Sequence, residues 1–427
     1  VTIGRLGRVR MLFSCRPAYG HLFPLVPLAR AARAAGHEVV FATGPSFVGT
    51  VRGLGFTAHP AGISVAEAET EARRRLGNAD VVTLMITMFA DVLPRATVAD
   101  LTPVMRQVKP DLVVYEQSDV GAAKVAREAG IPAVSHVIGR SMPPEVQAAA
   151  ADAMAWLWDG TAPADPVLGD TAVDLWPDAV RDPVVAALPT VLRQRPTAFD
   201  PDVPMPAVDA AKPLVHLTLG TVAFGNTEVL GAAVDGLARL PVTVLVAVGP
   251  GDPALLGEVP DPVHVAGFVP QARVLRRAAL VVHHGGTGTV LGTLAADLPQ
   301  LVLPQGADQF VNADALAGAG AGAKLVGPEI TAAAVTERAR HLLHDPAARE
   351  VAEKVAGEIA QLPEPAAVVR QLAALVSWPQ ASPRAAGPCR RAARRGRSAS
   401  PRRSSRWRPP PGSRTSPVSR GRTRARC

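Results

Sequence analysis

"VVHHGGTGTVLGTLAADLPQLVLPQGADQFVNADAL", residues Val281–Leu316, carries the pattern that decides the fold. An apolar run ends in two histidines. A glycine turn and a helix-like stretch lead to a second apolar run, and an Asp-Gln pair opens another helical stretch. Strand, helix, strand, helix in that order means parallel strands joined by helical crossovers. Gly285 and Gly286 remove side chains where the turn enters the helix. Thr287, Gly288 and Thr289 then present backbone N–H groups and hydroxyls at the helix N-terminus. Free amides and the positive end of the helix dipole attract an anion such as phosphate. No Lys follows the glycines, so this is not a Walker loop, and it is not the GxGxxG dinucleotide fingerprint either. A tight turn would by itself explain the glycines. His284, directly before them, tips the reading to phosphate binding, because its ring N–H can donate to a phosphate oxygen; His283 reads as structural. Asp308 and Gln309 should face the same crevice, where a carboxylate beside a carboxamide suits sugar hydroxyls. Asp308 would also serve as a plain helix N-cap, and Asn312 reads equally well as structural.

The same plan recurs along the chain. "VRMLFSC" (Val9–Cys15) predicts the first strand, a helix follows from Pro24 to about Ala35, and "HEVVFAT" predicts the next strand. "KPDLVVYE" (Lys109–Glu116) and "IPAVSHV" are later strands around the helix "DVGAAKVAREAG". Prolines recur from Pro177 to Pro213, which predicts an extended linker. After it the pattern restarts with "PLVHLTLG", "VTVLVAVG", "ALVVHH", "QLVLP" and "AKLV". The expected architecture is α/β with two Rossmann-like domains: a leader at 1–8, a first domain at 9–195, a linker at 196–212, a second domain at 213–362, a return helix at 363–378 and an Arg-rich tail at 379–427. Open α/β sheets bind ligands outside the carboxyl ends of their strands. The loops at such ends are "RPAYGH" and "EQSD" in the first domain, and "GTVAFGN", "HGGTGT" and "PQGADQ" in the second.

Composition bounds the partners. The chain has 427 residues, 48% of them hydrophobic, enough for two domains with cores. Its formal charge is +8, but fifteen Arg and no acid lie between Pro379 and Cys427, so residues 1–378 carry about −7. Nucleic acid is therefore not an expected partner of the body. The tail alone offers an anion-binding surface, or else it is a non-native extension from a frame change; it lacks apolar periodicity and is expected to be disordered. Cys15 is the one cysteine before the tail, which supports neither a disulfide framework nor a thiolate metal site. No run reaches about 18 apolar residues and the start is too short for a signal peptide, so no membrane partner and a cytoplasmic location are expected.

"GFVPQARVLRRAALVVHHGGTGTVLGTLAADLPQLVLPQGADQFVNADALAGAGAG" resembles the nucleotide-sugar signature of family 1 glycosyltransferases of the GT-B fold, most of all those of actinobacterial natural-product pathways. The order VPQ, HGGxGT, DQxxNA is specific, and the resemblance covers about 9–378. It implies two Rossmann-like domains facing across a cleft, with the last helix crossing back to the first domain. It implies that Phe268 lies under the donor base, that the Val269 backbone meets the base edge, and that Gln271 belongs to the same loop. His284, Gly286, Thr287 and Thr289 would hold the diphosphate, with Thr221 contacting phosphate or sugar, and Asp308 and Gln309 would hold the sugar. His21 matches the position of the general base, oriented by a carboxylate from a later strand end. Glu116 stands there in place of the usual Asp, with Asp119 three residues on, so the choice between them is open. The family needs no metal and no cofactor, and the Asp-x-Asp at 200–202 reads as incidental. The implied activity is inverting transfer of a hexose or deoxyhexose from a nucleotide-sugar, dTDP-linked by expectation, to a hydroxyl of a small apolar acceptor such as a polyketide. The rival readings are a nucleotide-sugar epimerase or hydrolase on the same fold, and a non-catalytic sugar-nucleotide-binding helper. A homodimer and an activator protein are left open as partners.

Overall fold

The computed structural model describes residues 7–158, 162–200, 202–209, 211–220 and 227–377. Its strands form two sheets in which every pair runs parallel. The first contains β1 (Arg10–Cys15), β2 (Glu38–Thr43), β3 (Thr57–Pro60), β4 (Leu112–Glu116), β5 (Ala133–His136), β6 (Thr171–Asp174) and β7 (Thr190–Arg193), in the order β3-β2-β1-β4-β5-β6-β7. The second contains β8 (Leu214–Thr218), β9 (Thr243–Ala247), β10 (Val263–Ala266), β11 (Ala278–His283), β12 (Gln300–Val302) and β13 (Ala323–Lys324), in the order β10-β9-β8-β11-β12-β13. Helices cover both faces, so the central strands are apolar throughout: β4, β8 and β9 are buried at every position. In each sheet the winding reverses once, between β1 and β4 and between β8 and β11. Those two reversal points open the crevices where such sheets take ligands.

Three apolar clusters hold the frame. Met11 and Phe13 of β1 pack with Phe41, Leu25 and Leu28, and with Val368, Val369, Leu372 and Ala373 of the last helix, Pro365–Ser377. Val215, Leu217, Val244 and Val282 pack with the helix Thr227–Leu237 and with Val335 and Ala339. A third cluster joins the two halves: Val137, Leu175 and Trp176 meet Val290, Leu291 and Leu294 of the helix Thr287–Ala295 and Val355 and Ile359 of the helix Pro346–Gln361.

The strand expectations need several corrections. β3, β6, β7 and β10 have four residues each and carry too few apolar side chains to be read as strands alone; they form because a neighbouring strand edge pairs with them. The proline-rich stretch is not linker from Pro177 onward, since it holds the helix Pro183–Ala186 and β7. The first helical segment starts at Tyr19 rather than Pro24, running through a 3-10 turn at Phe23–Leu25 into Val26–Ala34. Finally, Val81–Val108 forms one continuous helical stretch that is long enough to cross a membrane and contains an 18-residue window with a mean hydropathy of 1.5. Counting uninterrupted apolar runs missed it because Asp91 and Arg95 break the run. Asp91 is paired with Arg75 and Arg95, while Leu93, Leu101, Val104 and Met105 are buried, the last three in one cluster with Val120 and Ala123 of the helix Val120–Glu128.

Candidate active site

At the β1–β4 reversal point the chain leaves β1 at Cys15, and a short loop sets His21 on the helix Tyr19–Leu22. β4 ends in Glu116, whose carbonyl accepts the Asp119 amide at 2.8 Å to close a tight turn. This brings His21 Nδ1 to 3.1 Å from Glu116 Oε2. The Ser118 amide donates to Glu116 Oε2 (3.1 Å) and its hydroxyl to Oε1 (2.6 Å). Glu116 is completely buried, whereas 23% of the His21 side chain stays exposed. Burial pushes the Glu116 carboxyl up, but His21, Arg16 and Ser118 together bring it below the ordinary carboxylate range. For His21, burial works to lower the imidazole. The Glu116 charge and hydrogen bond outweigh it, with Asp308 adding and Arg16 opposing, and the ring ends above its ordinary value. With Nδ1 held by a carboxylate, Nε2 is the nitrogen left to take up a proton.

At the β8–β11 reversal point the chemistry is different. His283 is fully buried and its ring is committed: Nδ1 accepts the Gly285 amide (3.0 Å) and Nε2 faces Gln300 Oε1 at 2.8 Å. His284 packs over the backbone of Gly220 and Gly286, and a Cβ at either glycine would collide with the ring. Burial lowers the His284 imidazole to about 4, with only the Thr218 backbone opposing, so it is neutral near pH 7. Its Nδ1 is buried without a well-formed hydrogen bond. Gly285 takes a φ of +97°, where a side chain would also meet Val302 and the Gln309 backbone. No side chain caps the helix Thr287–Ala295 that follows. Thr287 Oγ1 (3.2 Å) and Asn312 Nδ2 (3.0 Å) both donate to Asp308 Oδ2, and Asn312 also holds the Gly285 carbonyl at 2.8 Å. Burial raises the Asp308 carboxyl, against the pull of Asn312, Thr287 and His21.

The two edges meet. Tyr19 and Phe268 stack edge-to-face across the cleft at 5.2 Å, and Gly139, in the loop after β5, sits so close to Asp308 that a Cβ there would strike the carboxylate. A cavity of about 430 Å³ runs between the halves. Tyr19, Phe23 and Ile138 line it on one side, and Phe268, His284 and the Gly286–Thr289 turn on the other.

Phe268, Val269, Gln271, His284, Gly286, Thr287 and Thr289, all singled out from sequence, line this cavity, whereas His21, Glu116, Asp119, Asp308 and Gln309 are not among its lining residues. Gln271 Nε2 donates to Thr289 Oγ1 at 3.2 Å beside the cavity, and Val269 lines it while its side chain is buried with Leu245 and Val274. Thr221 lies outside the described residues, as does the tail. Asp119 is not beside His21 as a catalytic partner: its carboxylate is taken by Ser14 (2.6 Å), Thr97 (2.8 Å) and Arg16 (3.2 Å), because the turn after Glu116 points it back beneath the sheet edge. Gln309 spends its side-chain oxygen on the Gln305 and Gly306 amides, leaving only its NH₂ for a ligand. Asp200 accepts the Ala272 amide (2.7 Å), a structural use. Sequence reading missed Arg16 and Ser118, which carry no pattern, and Arg276, the one Arg or Lys among the described residues lining the cavity. Asn312 follows Asp308 by one helical turn, a spacing that signals a shared face. Among the described residues, no group of three or more His, Cys, Asp or Glu is placed to hold a metal.

Comparison with known proteins gives this geometry its family. Residues 231–375 match the model described as "Erythromycin biosynthesis protein CIII-like, C-terminal domain". The chain is 31% identical over 396 residues to the L-demethylnoviosyl transferase of Streptomyces niveus, covering 86% of this chain and 98% of that one. It is 32% identical over 404 residues to the elloramycin glycosyltransferase ElmGT of Streptomyces olivaceus, covering 85% and 97%. Among solved structures it is similar to the glycosyltransferase SsfS6 of Streptomyces sp. SF2575 in complex with thymidine diphosphate, with a TM-score of 0.71, 25% identity, and coverage of 86% and 99%. Paired Rossmann-like halves, near-complete coverage of these relatives and the shared C-terminal domain place the chain in the GT-B natural-product glycosyltransferases, and it is a glycosyltransferase.

Proposed function

We propose that this glycosyltransferase moves a hexose or deoxyhexose, with inversion, from a thymidine-diphosphate sugar to a hydroxyl of a small apolar natural product. The observation that carries the reading is the His21–Glu116 pair, 3.1 Å apart, whose imidazole feels the charge of Asp308 from the other half, next to a cavity lined by Tyr19 and Gly20 on its own side and by His284 and the Gly286–Thr289 turn opposite. The thymidine diphosphate seen in SsfS6 supports the donor class. The apolar walls Phe23, Ile138, Leu175 and Phe199 support an apolar acceptor.

In this mechanism the acceptor hydroxyl gives its proton to His21 Nε2 while its oxygen attacks the anomeric carbon from the face opposite the leaving group. The bond from that carbon to the diphosphate oxygen breaks, and both of its electrons leave with the nucleotide. Glu116 stabilises the imidazolium that forms. The leaving charge falls on the uncapped helix start at Thr287, on the His284 N–H and on Arg276, with no metal or cofactor required. Asp308 receives sugar hydroxyls, presented by Thr287 and Asn312.

The test is turnover on thymidine- and uridine-diphosphate sugars, with and without polyketide-type acceptors, in excess EDTA. Acceptor-dependent product of opposite anomeric configuration is expected. Donor hydrolysis or epimerisation indifferent to acceptor overturns the transfer reading, and abolition by EDTA with rescue by magnesium overturns the charge assignment.

A further inference from the structure

Beneath the dyad lies a second charge pair that the transfer mechanism does not use. Arg16 is 2% exposed and Asp119 is 3% exposed. Arg16 Nη1 lies 3.0 Å from Thr97 Oγ1 and 3.2 Å from Asp119 Oδ1, while Nη2 donates to the Ser118 carbonyl at 2.8 Å. Ser14 and Thr97 complete the Asp119 carboxylate. Arg16 Nε is buried without a partner. A buried ion pair with an unsatisfied donor is poorly explained as a source of stability, because desolvating both charges costs about as much as their attraction returns. Its position gives the better account. Arg16 opens the loop that carries His21, Asp119 closes the turn that carries Glu116, and Ser118 binds Arg16 through its carbonyl and Glu116 through its amide and hydroxyl. Thr97 ties both to the helix Leu93–Val108.

We propose that Arg16 and Asp119 are positioning residues for the base: the pair clamps the two loops so that Glu116 meets His21. This rests on the reading of His21 as the base. The charged and titratable groups facing His21 are Glu116 and Arg16 from its own sheet edge and Asp308 from the other half. Those facing Glu116 include His21 and Arg16, with Cys15 and His136 also under its influence. Glu116 and Asp308 favour the protonated ring, and Arg16 is the group that opposes them. Releasing Glu116 from its 3.1 Å contact with the ring therefore removes the largest contribution that favours the imidazolium, and leaves His21 free to act as base down to lower pH.

The measurement is the pH profile of kcat and kcat/KM for Arg16→Met/Asp119→Asn, which removes both charges together and avoids stranding one of them. The acid limb should move to lower pH, because a Glu116 no longer held against the ring raises the imidazole less, and kcat should fall roughly 10- to 100-fold from loosened dyad geometry, with donor KM unchanged. Arg16→Lys, which keeps the charge and loses the fork to Ser118, should lower kcat by a smaller factor and move the acid limb less, in the same direction. If the double variant does not fold, Arg16→Lys decides: a full wild-type kcat overturns the proposal. A folded double variant with wild-type kcat and an unmoved acid limb also overturns it. His21→Ala is the control. If it keeps full activity, the base reading falls and this proposal with it. If it is inactive while the double variant is normal, the clamp alone is wrong.

Discussion

Two imidazoles stand at the reversal points of the two sheets, His21 on the short helix after β1 and His284 directly after β11, and they are driven in opposite directions. His21 rises because Glu116 lies against it. His284 falls to about 4 because burial acts on it with no carboxylate alongside. The difference extends to their surroundings. Around His21, the buried polar groups are paired, Glu116 with the imidazole and Asp119 with Arg16. Around His284, the buried rings His216 and His283 are held neutral by burial, at about 4 and about 3, and the rest of the turn is glycine, threonine and backbone. A proton-accepting edge needs a charge partner that makes protonation favourable. An edge facing a diphosphate works with neutral donors and amides that are already oriented.

The strongest way to break this comparison is His21→Ala. Turnover on an aliphatic hydroxyl acceptor should fall by about 10² to 10⁴, while calorimetric donor affinity holds. Full activity across pH 6 to 9 would make the two rings equivalent after all.

Acid unfolding comes next. His136 and His284 at about 4, His216 at about 4 and His283 at about 3 are all depressed in the folded state, so below the ordinary imidazole value of 6.5 the unfolded chain binds more protons. Stability should therefore fall as pH drops from 6.5 towards 4, with each ring contributing on the order of 1 kcal/mol per pH unit. His21 has the opposite sign: its contribution is full below the ordinary value and is lost as pH rises through its raised one. Chemical denaturation at pH 7 and pH 5 measures the balance, and equal stability would show that these four rings are not buried as neutral groups.

The smallest effect sharpens the other side. His284→Ala should weaken donor binding by about 1.5–3 kcal/mol, the range for a hydrogen bond to a charged group, so roughly tenfold or more. His21→Ala leaves donor affinity in place and removes the acid limb of the rate profile; His284→Ala should do the reverse. Unchanged affinity for thymidine diphosphate by calorimetry would remove the ring from the cradle.

The amino-acid sequence by itself determined what depends on neighbours along the chain. The glycine turn at 285–286 follows from a φ at Gly285 that only glycine takes easily and from the His284 ring lying where a Gly286 Cβ would stand, and the apolar runs of β1, β4, β8, β9 and β11 follow from burial on both faces. So does the order strand, helix, strand that makes both sheets parallel. The tertiary structure alone decided partnership. Glu116 and Asp119 stand three residues apart on one loop, and nothing local says which will reach His21. A single turn, closed by the Asp119 amide on the Glu116 carbonyl, sends the first to the imidazole and the second to an arginine from a loop more than a hundred residues away. The four short strands were invisible for the same reason, since a four-residue segment of mixed polarity becomes a strand only when a sheet edge is there to pair with it.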